Sequence, residues 1–531
     1  MKRAPAILFF FLAFAARAHI GSPNVFFDGQ AGPYAAHVIV RPPNVVPGLA
    51  EISVRVEGEG VRRITVLPVF WSAGREGSPP PDEAKAVRGE TNLYTATLWL
   101  MKPGAYSVNV DVEGAKGGGT LIVPVNSSAT NTRPMSRAYA LMLAALGVAL
   151  FAGAVRIAGA AFGESFSATG EISIVGARRR GRIAMAVIAP VLAVLLWGGK
   201  KWWDFEEHNY RNERLYRPAA TSALVTERTN QDVVDLAVEP KGSPGEWTPL
   251  MPDHGKLMHL FLVREPDFNV FAHLHPTRPD PLRFEAALPP LPAGRYDVYA
   301  DITHENGFAE TLTAAVEVPA PSPAWARFWT GNSTDMICGA DVARLAREGF
   351  ALPPDPDDSW HVDRADTSTG DRSAAGTVIA NVSDGRKMVW QKPGALVANR
   401  EVSLRFQLLG TNDQPALIEL YMGMPGHAII RRNDGSVFAH IHPMGTFSMA
   451  AQEYFAKGAG EKTARAQEAG QSLEAKTDGT EIHAHTNSEA GIAREVSFPY
   501  AFPTAGAYHI WVQLKSNGRI YTGAFQAEVG K

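Results

Sequence analysis

The stretch MHLFLVREPDFNVFAHLHP, residues 258–276, decides the reading of the fold, because the chain writes it again as GHAIIRRNDGSVFAHIHP, residues 426–443. Each copy runs from a histidine through an apolar segment, over a polar turn, to Val-Phe-Ala-His-x-His-Pro. Two apolar runs joined by turn-forming residues predict a β-hairpin. His259 aligns with His427 when the first turn is one residue longer, a change that loop tips absorb. In a strand, residues i and i+2 share a face. His273 and His275 therefore point together, as do His440 and His442. The hairpins bring His259 and His427 onto the partner strands beside them.

Each hairpin leads to a second shared block. LPPLPAGRYDVYADITHENGFAETLTAAVEV covers residues 288–318, and YAFPTAGAYHIWVQLKSNGRIYTGAFQAEV covers 500–529. MKPGAYSVNVDVEGAKGGGTLIVPV at 101–125 has the same cadence, and AAHVIVRPPNVVPGLAEISVRVEG at 35–58 alternates apolar and polar residues. The pattern predicts a mainly β protein of three immunoglobulin-like antiparallel β-sandwiches. Their expected bounds are 19–126, 226–320 and 376–531. Residues 321–375 read as linker, with PPDPDDSW at 353–360 taken as exposed, and 451–493 as an insertion that starts as a helix.

The N-terminus, MKRAPAILFFFLAFAARA, has the basic, apolar and Ala-x-Ala regions of a secretory signal peptide spanning 1–18. Two further apolar runs, 138–158 and 183–199, approach the roughly 20 residues needed to cross a bilayer. Arg156, Arg178, Arg179, Arg180 and Arg182 lie within or beside the intervening stretch, so 159–182 is expected to be a cytoplasmic loop. The result is a two-helix transmembrane hairpin in the cell (inner) membrane, with the large domains extracytoplasmic. Trp197, Trp202 and Trp203 are expected at the outer interface.

Composition removes several function classes. The net charge is −3 over 531 residues, with no basic stripe, so no nucleic-acid partner is expected. Cys338 is the single cysteine, which excludes intrachain disulfides, Cys-rich zinc sites and iron–sulfur clusters. No nucleophile motif, phosphate loop or dinucleotide fingerprint occurs, and no enzyme activity is expected.

The residues MGMPGHA…VFAHIHP…AGAYHIWVQLKSNGRIYTGAFQAEV resemble the YtkA-like domains of bacterial envelope proteins. HIGSPNVFFDGQAGPY at 19–34 looks like the front of membrane proteins carrying such domains. The resemblance covers most of 19–126 and 226–530. It implies a sandwich fold, an envelope location and copper handling, and it supplies no reaction.

The side chains point the same way. Imidazole and thioether together suit copper, especially Cu(I). The third expected sandwich offers His427, His440 and His442, with Met422, Met424, Met444 and Met449 nearby in sequence and His483 and His485 in the insertion. The second offers His254, His259, His273 and His275, with Met251 and Met258 close by. His254 stands where Met422 stands, five residues before the aligned histidine. Two separate copper sites are expected, the second richer in nitrogen, with copper bound and passed to an accepting envelope protein. If cleavage follows Ala18, His19 becomes an N-terminal histidine able to chelate copper as a histidine brace, with His37 as a further ligand and an oxidase or oxygenase as the associated activity. His304 and His361 read as solvated. The alternative is a metal-free envelope scaffold or interaction module.

Overall fold

Alternation fixes most strands. In Gly48–Val56 the residues Ala50, Ile52, Val54 and Val56 turn inward and their neighbours face outward. The computed structural model describes residues 19–20, 24–164, 174–228, 231–239, 248–321, 352, 354–362, 371–372, 376–457 and 493–531. The 1–18 stretch, Cys338, His483 and His485 lie outside the described residues. The chain forms two compact units, Ala129–Tyr216 and the remainder.

The larger unit is built from six sheets whose described pairings are antiparallel except for two short parallel ones. They fall into three pairs, each closing on one apolar core. The first pair spans Val25–Ser127 and buries Ile52, Val66 and Val110 between its sheets. The second buries Leu260, Phe284 and Val298, and the third Trp390, Ile430 and Phe525.

Six strands frame the repeated histidines. In the second pair they are β1 (His259–Arg264), β2 (Val270–Leu274) and β3 (Gly294–His304). In the third they are β4 (His427–Arg432), β5 (Val437–Ile441) and β6 (Gly506–Ser516). Hairpins β1–β2 and β4–β5 keep equivalent registers: Phe261 lies opposite His273, and Ile429 opposite His440. Strands β3 and β6 flank them equivalently, with Asp301 opposite His259 and Gln513 opposite His427.

These hairpins do not alternate in burial, because both faces are covered. Leu260, Leu262, Ala272 and Leu274 enter the core of the second pair, while Phe261, Val263 and Phe271 enter a separate cluster with Tyr299, Ile429, Phe438 and Trp511. That cluster joins the second pair of sheets to the third. Tyr299 stacks on Phe438 with centroids 3.9 Å apart, and Phe271 stacks on Trp511 at 5.1 Å. Tyr299 and Trp511 occupy equivalent positions, as do Phe271 and Phe438. Reciprocal contacts of this kind are the mark of two-fold symmetry, here approximate and within one chain.

The stretch expected to be linker contributes to this assembly. Ser359–Val362 pairs with β2 as an edge strand, and Trp360 enters the second core. His361, expected at the surface, is buried on that strand, and His304, expected in a solvated turn, is buried with Nε2 2.9 Å from Glu310. The insertion begins as α3 (Met449–Ala456), which Ser448 caps by accepting a hydrogen bond from the Ala451 amide; residues 458–492 lie outside the described residues.

The smaller unit holds α1 (Arg137–Glu164) and α2 (Ile174–Asn209), both long and apolar enough to cross a membrane. They extend beyond the runs that marked them. Arg178, Arg179, Arg180 and Arg182, expected in a loop, are helical residues of α2. Gly159 and Gly163 of α1 meet Gly181 and Ala177 of α2 in antiparallel order, close enough that a Cβ on Gly181 would lie 2.7 Å from the Gly159 carbonyl oxygen.

Candidate metal centre

Strand parity places the histidines on the face buried between the two joined pairs of sheets. His259 shares its face with Phe261 and Val263, His273 with Phe271, His427 with Ile429, and His440 with Phe438. His275 and His442 follow just beyond the ends of β2 and β5. Seven imidazoles gather there instead of forming two remote groups. His259 and His440 have ring centroids 5.3 Å apart, the same separation as His259 and His273 within one hairpin. His273 lies 5.7 Å from His440, and His254 lies 5.5 Å from His427 and 4.7 Å from His442. The two expected sites are therefore two halves of one cluster.

Two triads stand out: His259, His273 and His275, and His427, His440 and His442. In each, one ring nitrogen per residue lies within 4.8 Å of the other two. A third group joins His275 to Asp355 and Asp358.

Hydrogen bonds fix which nitrogen faces inward. His259 Nε2 lies 3.2 Å from the Asp253 carbonyl oxygen and donates to it, leaving a lone pair on Nδ1. Gln513 gives its amide hydrogen to Ser359 Oγ and presents Oε1 to His273 Nδ1 at 2.8 Å, which leaves a lone pair on His273 Nε2. The two lone-pair nitrogens, His259 Nδ1 and His273 Nε2, face each other at 3.1 Å. A proton shared between them would force one ring to turn a lone pair toward an oxygen acceptor. A metal ion bonded to both removes the conflict. At metal–nitrogen distances of about 2.0–2.1 Å, tetrahedral ligands sit roughly 3.3 Å apart.

The β4–β5 hairpin repeats the design. His427 Nε2 donates to the Tyr421 carbonyl oxygen at 3.1 Å, and His427 Nδ1 faces His440 Nε2 at 3.0 Å. Asp301 Oδ2 takes the place of Gln513 Oε1, 3.3 Å from His440 Nδ1, and burial lifts its carboxyl to about 7. His275 Nδ1 donates to Asp358 Oδ1 at 3.0 Å, and Asp358 also accepts from the His275 and Asp355 amides. Carbonyl and carboxylate acceptors behind ligating histidines orient the rings and raise their basicity.

Burial keeps the rings neutral. It pushes His259 and His275 down to about 3, and His273, His427, His440 and His442 well below the usual imidazole range, with neighbouring imidazoles adding to the effect on those four. His254 Nε2, His275 Nε2 and both ring nitrogens of His442 are buried with no hydrogen-bond partner. Each such atom costs about 1–3 kcal/mol unless something binds it.

The methionines divide. Met444 and Met449, expected as sulfur ligands, pack with Phe447 against the core of the first pair of sheets, and Met258 is buried in the second core. The chain after His442 enters that first core because Phe27 bridges to Gly445 and stacks on Phe447. Met424 is buried in a tight turn with Tyr421, and Met422 sits at the tip of that turn with φ 51°. His19 lies in a short strand paired in parallel with Val437. His37, offered as its companion ligand, is instead held by Asp28 at 2.7 Å and Glu57 at 3.1 Å; the Asp28 bond leads in raising it to about 9.

Sequence reading missed the residues behind the rings. Asp253, Asp301, Asp355 and Asp358 stand at the cluster, whereas Asp434, close to the repeated histidines in sequence, does not. Asp434 instead pairs with Arg432 in the turn.

One family model, described as "Domain of unknown function (DUF8832)", matches residues 219–320 and 472–531. No functionally curated protein matches the chain. Among solved structures, trypsin-activated alpha-2-macroglobulin from Escherichia coli aligns at 9% identity and TM-score 0.16, covering 96% of this chain and 24% of that one. An endo-fucoidan hydrolase of glycoside hydrolase family 107 aligns at 8% identity and TM-score 0.17, covering 92% and 43%. A putative membrane anchored protein from Corynebacterium diphtheriae aligns at 7% identity and TM-score 0.13, covering 96% of each chain. At such TM-scores these likenesses carry no argument about fold or activity.

Proposed function

We propose that this protein is a membrane-anchored, extracytoplasmic copper-binding protein whose buried histidine cluster holds the metal. The facing lone pairs of His259 Nδ1 and His273 Nε2 carry the reading, because both outward nitrogens are already committed to oxygen acceptors. Neutral imidazoles in a dry site favour copper over the other common divalent ions by the ordinary affinity order. The three pairs of sheets are read as immunoglobulin-like sandwiches of YtkA-like kind, and α1 and α2 as a membrane hairpin with the arginine-rich turn in the cytoplasm.

The burial of the rings suits retention more than rapid exchange. Handover to an accepting envelope protein then requires the turns over the cluster to open. The seven imidazoles leave little to recommend a purely structural module, since packing alone would favour hydrocarbon at these positions.

The test is copper retention by the purified full-length chain in detergent after dialysis, with zinc in parallel. Copper should remain bound, and His259→Ala with His273→Ala, which remove the facing lone pairs, should lower the amount retained. A chain that dialyses free of both metals sinks the proposal, and one that keeps zinc in preference to copper corrects the metal.

A further inference from the structure

Two turns of the same kind stand over the cluster. In Asp253–Lys256 the backbone of residues 253 and 256 is doubly hydrogen-bonded, with positive φ at His254 (52°) and Gly255 (79°). In Tyr421–Met424 the ends are bonded likewise, with positive φ at Met422 (51°) and Gly423 (80°). Positive φ at both central residues is the pattern of a type I′ turn. A non-glycine residue in that conformation is strained and is characteristic of functional positions. Each turn lies just before its hairpin, so His254 and Met422 are equivalent under the approximate two-fold.

His254 reaches away from its own hairpin. Its ring centroid is 4.7 Å from His442 and 5.5 Å from His427, against 6.1 Å from His259 in its own half. Its side chain is 5% exposed, and Nε2 is buried without a hydrogen bond, 3.8 Å from Asp253 Oδ1. The two-fold relates this position to Met422, half-buried at the tip of its own turn.

From this arrangement, and resting on the metal-binding reading above, we infer that the cluster holds two metal ions at unlike sites. His427, His440 and His442 take His254 as fourth ligand, and His259, His273 and His275 take Met422. Each fourth ligand comes from the opposite half. Seven imidazoles exceed what one tetrahedral ion accepts, and the separations within and between triads are alike, so the two ions are close neighbours. The all-nitrogen site suits the harder Cu(II), and the site with a thioether suits Cu(I).

The test is an anaerobic titration of the full-length chain in detergent with Cu(I) and separately with Cu(II), with bound metal counted per chain. Two equivalents are expected, and two bound Cu(II) ions should broaden each other's EPR signals by dipolar coupling. His254→Gly and Met422→Gly tolerate the positive φ, and melting of the metal-free variants reports on folding. Each should weaken a different step, by at least the roughly 10–100-fold that loss of an outer-shell partner costs. Met422→His should make the two steps alike. One equivalent per chain, or both variants weakening the same step, overturns the two-site inference while metal binding stands. No bound metal at all removes the metal reading itself.

Discussion

Gln513 illustrates how one amide decides what a ring can do. Its Oε1 accepts from His273 Nδ1 and so turns the Nε2 lone pair toward His259. Replacing Gln513 with Leu keeps the volume and removes the acceptor. The expected result is a loss of about 10–100-fold in copper affinity, measured by competition with a chelator, from a chain that still folds. Unchanged affinity would assign His273 to packing. The acid limb of stability follows from the same rings. Unfolded, they protonate near the ordinary value of about 6.5, whereas folded His259 and His275 resist until about 3. Between those values the unfolded chain binds more protons, so this contribution is whole above about pH 6.5 and declines as pH falls toward 3. Melting of the metal-free chain should therefore occur at lower temperature at pH 5 than at pH 7.5. An equal or higher melting temperature at pH 5 would show that the rings are open to water.

At the scale of elements, the repeated hairpins were legible because His-x-His-Pro recurs after the same strand. Their lack of alternation is explained only by a second covered face, which no local pattern reveals. The edge strand Ser359–Val362 was missed because Asp355, Asp357 and Asp358 read as a solvated acidic loop. Instead Lys256 bonds Asp355 at 2.6 Å and Asp357 at 3.1 Å, and Asp358 turns inward to His275. The helices were legible from hydropathy, though their ends were not, since arginines continue a helix as readily as they end a span. Where α1 meets α2, Gly181→Val would drive a side chain into the Gly159 carbonyl. A cost of about 1–3 kcal/mol is expected, seen as earlier loss of helical ellipticity on heating in detergent. A melt matching the parent would show that the helices do not rely on this contact.

On the scale of the molecule, the meeting of the two halves was beyond the sequence. The decisive contact, His273 with Gln513, spans 240 residues. One side chain locks that meeting without a counterpart. Arg431 is buried, with ion pairs to Asp297 at 2.6 Å and to Glu265, a bond to Tyr299 Oη at 3.0 Å, and its guanidinium over the Phe268 ring. The equivalent position is Val263, on the other side of the two-fold. Removing Arg431 leaves Asp297 and Glu265, each about a quarter exposed, without their cation, and the cost is below the roughly 3–5 kcal/mol of a fully buried pair. Arg431→Ala should lower the denaturation midpoint accordingly, and a midpoint unchanged in urea would show that the aromatic stacks alone hold the halves.

The Val263 and Arg431 mismatch has a wider meaning. A homodimer must present the same residue twice, so whatever it gains at one position it accepts at the mirror position as well. Joining both halves in one polypeptide releases that constraint. Gln513 can face one imidazole while Asp301 faces its twin, and His254 can differ from Met422, without either choice being copied across the axis. Such a chain can tune two neighbouring pockets independently, a freedom closed to any assembly of identical subunits.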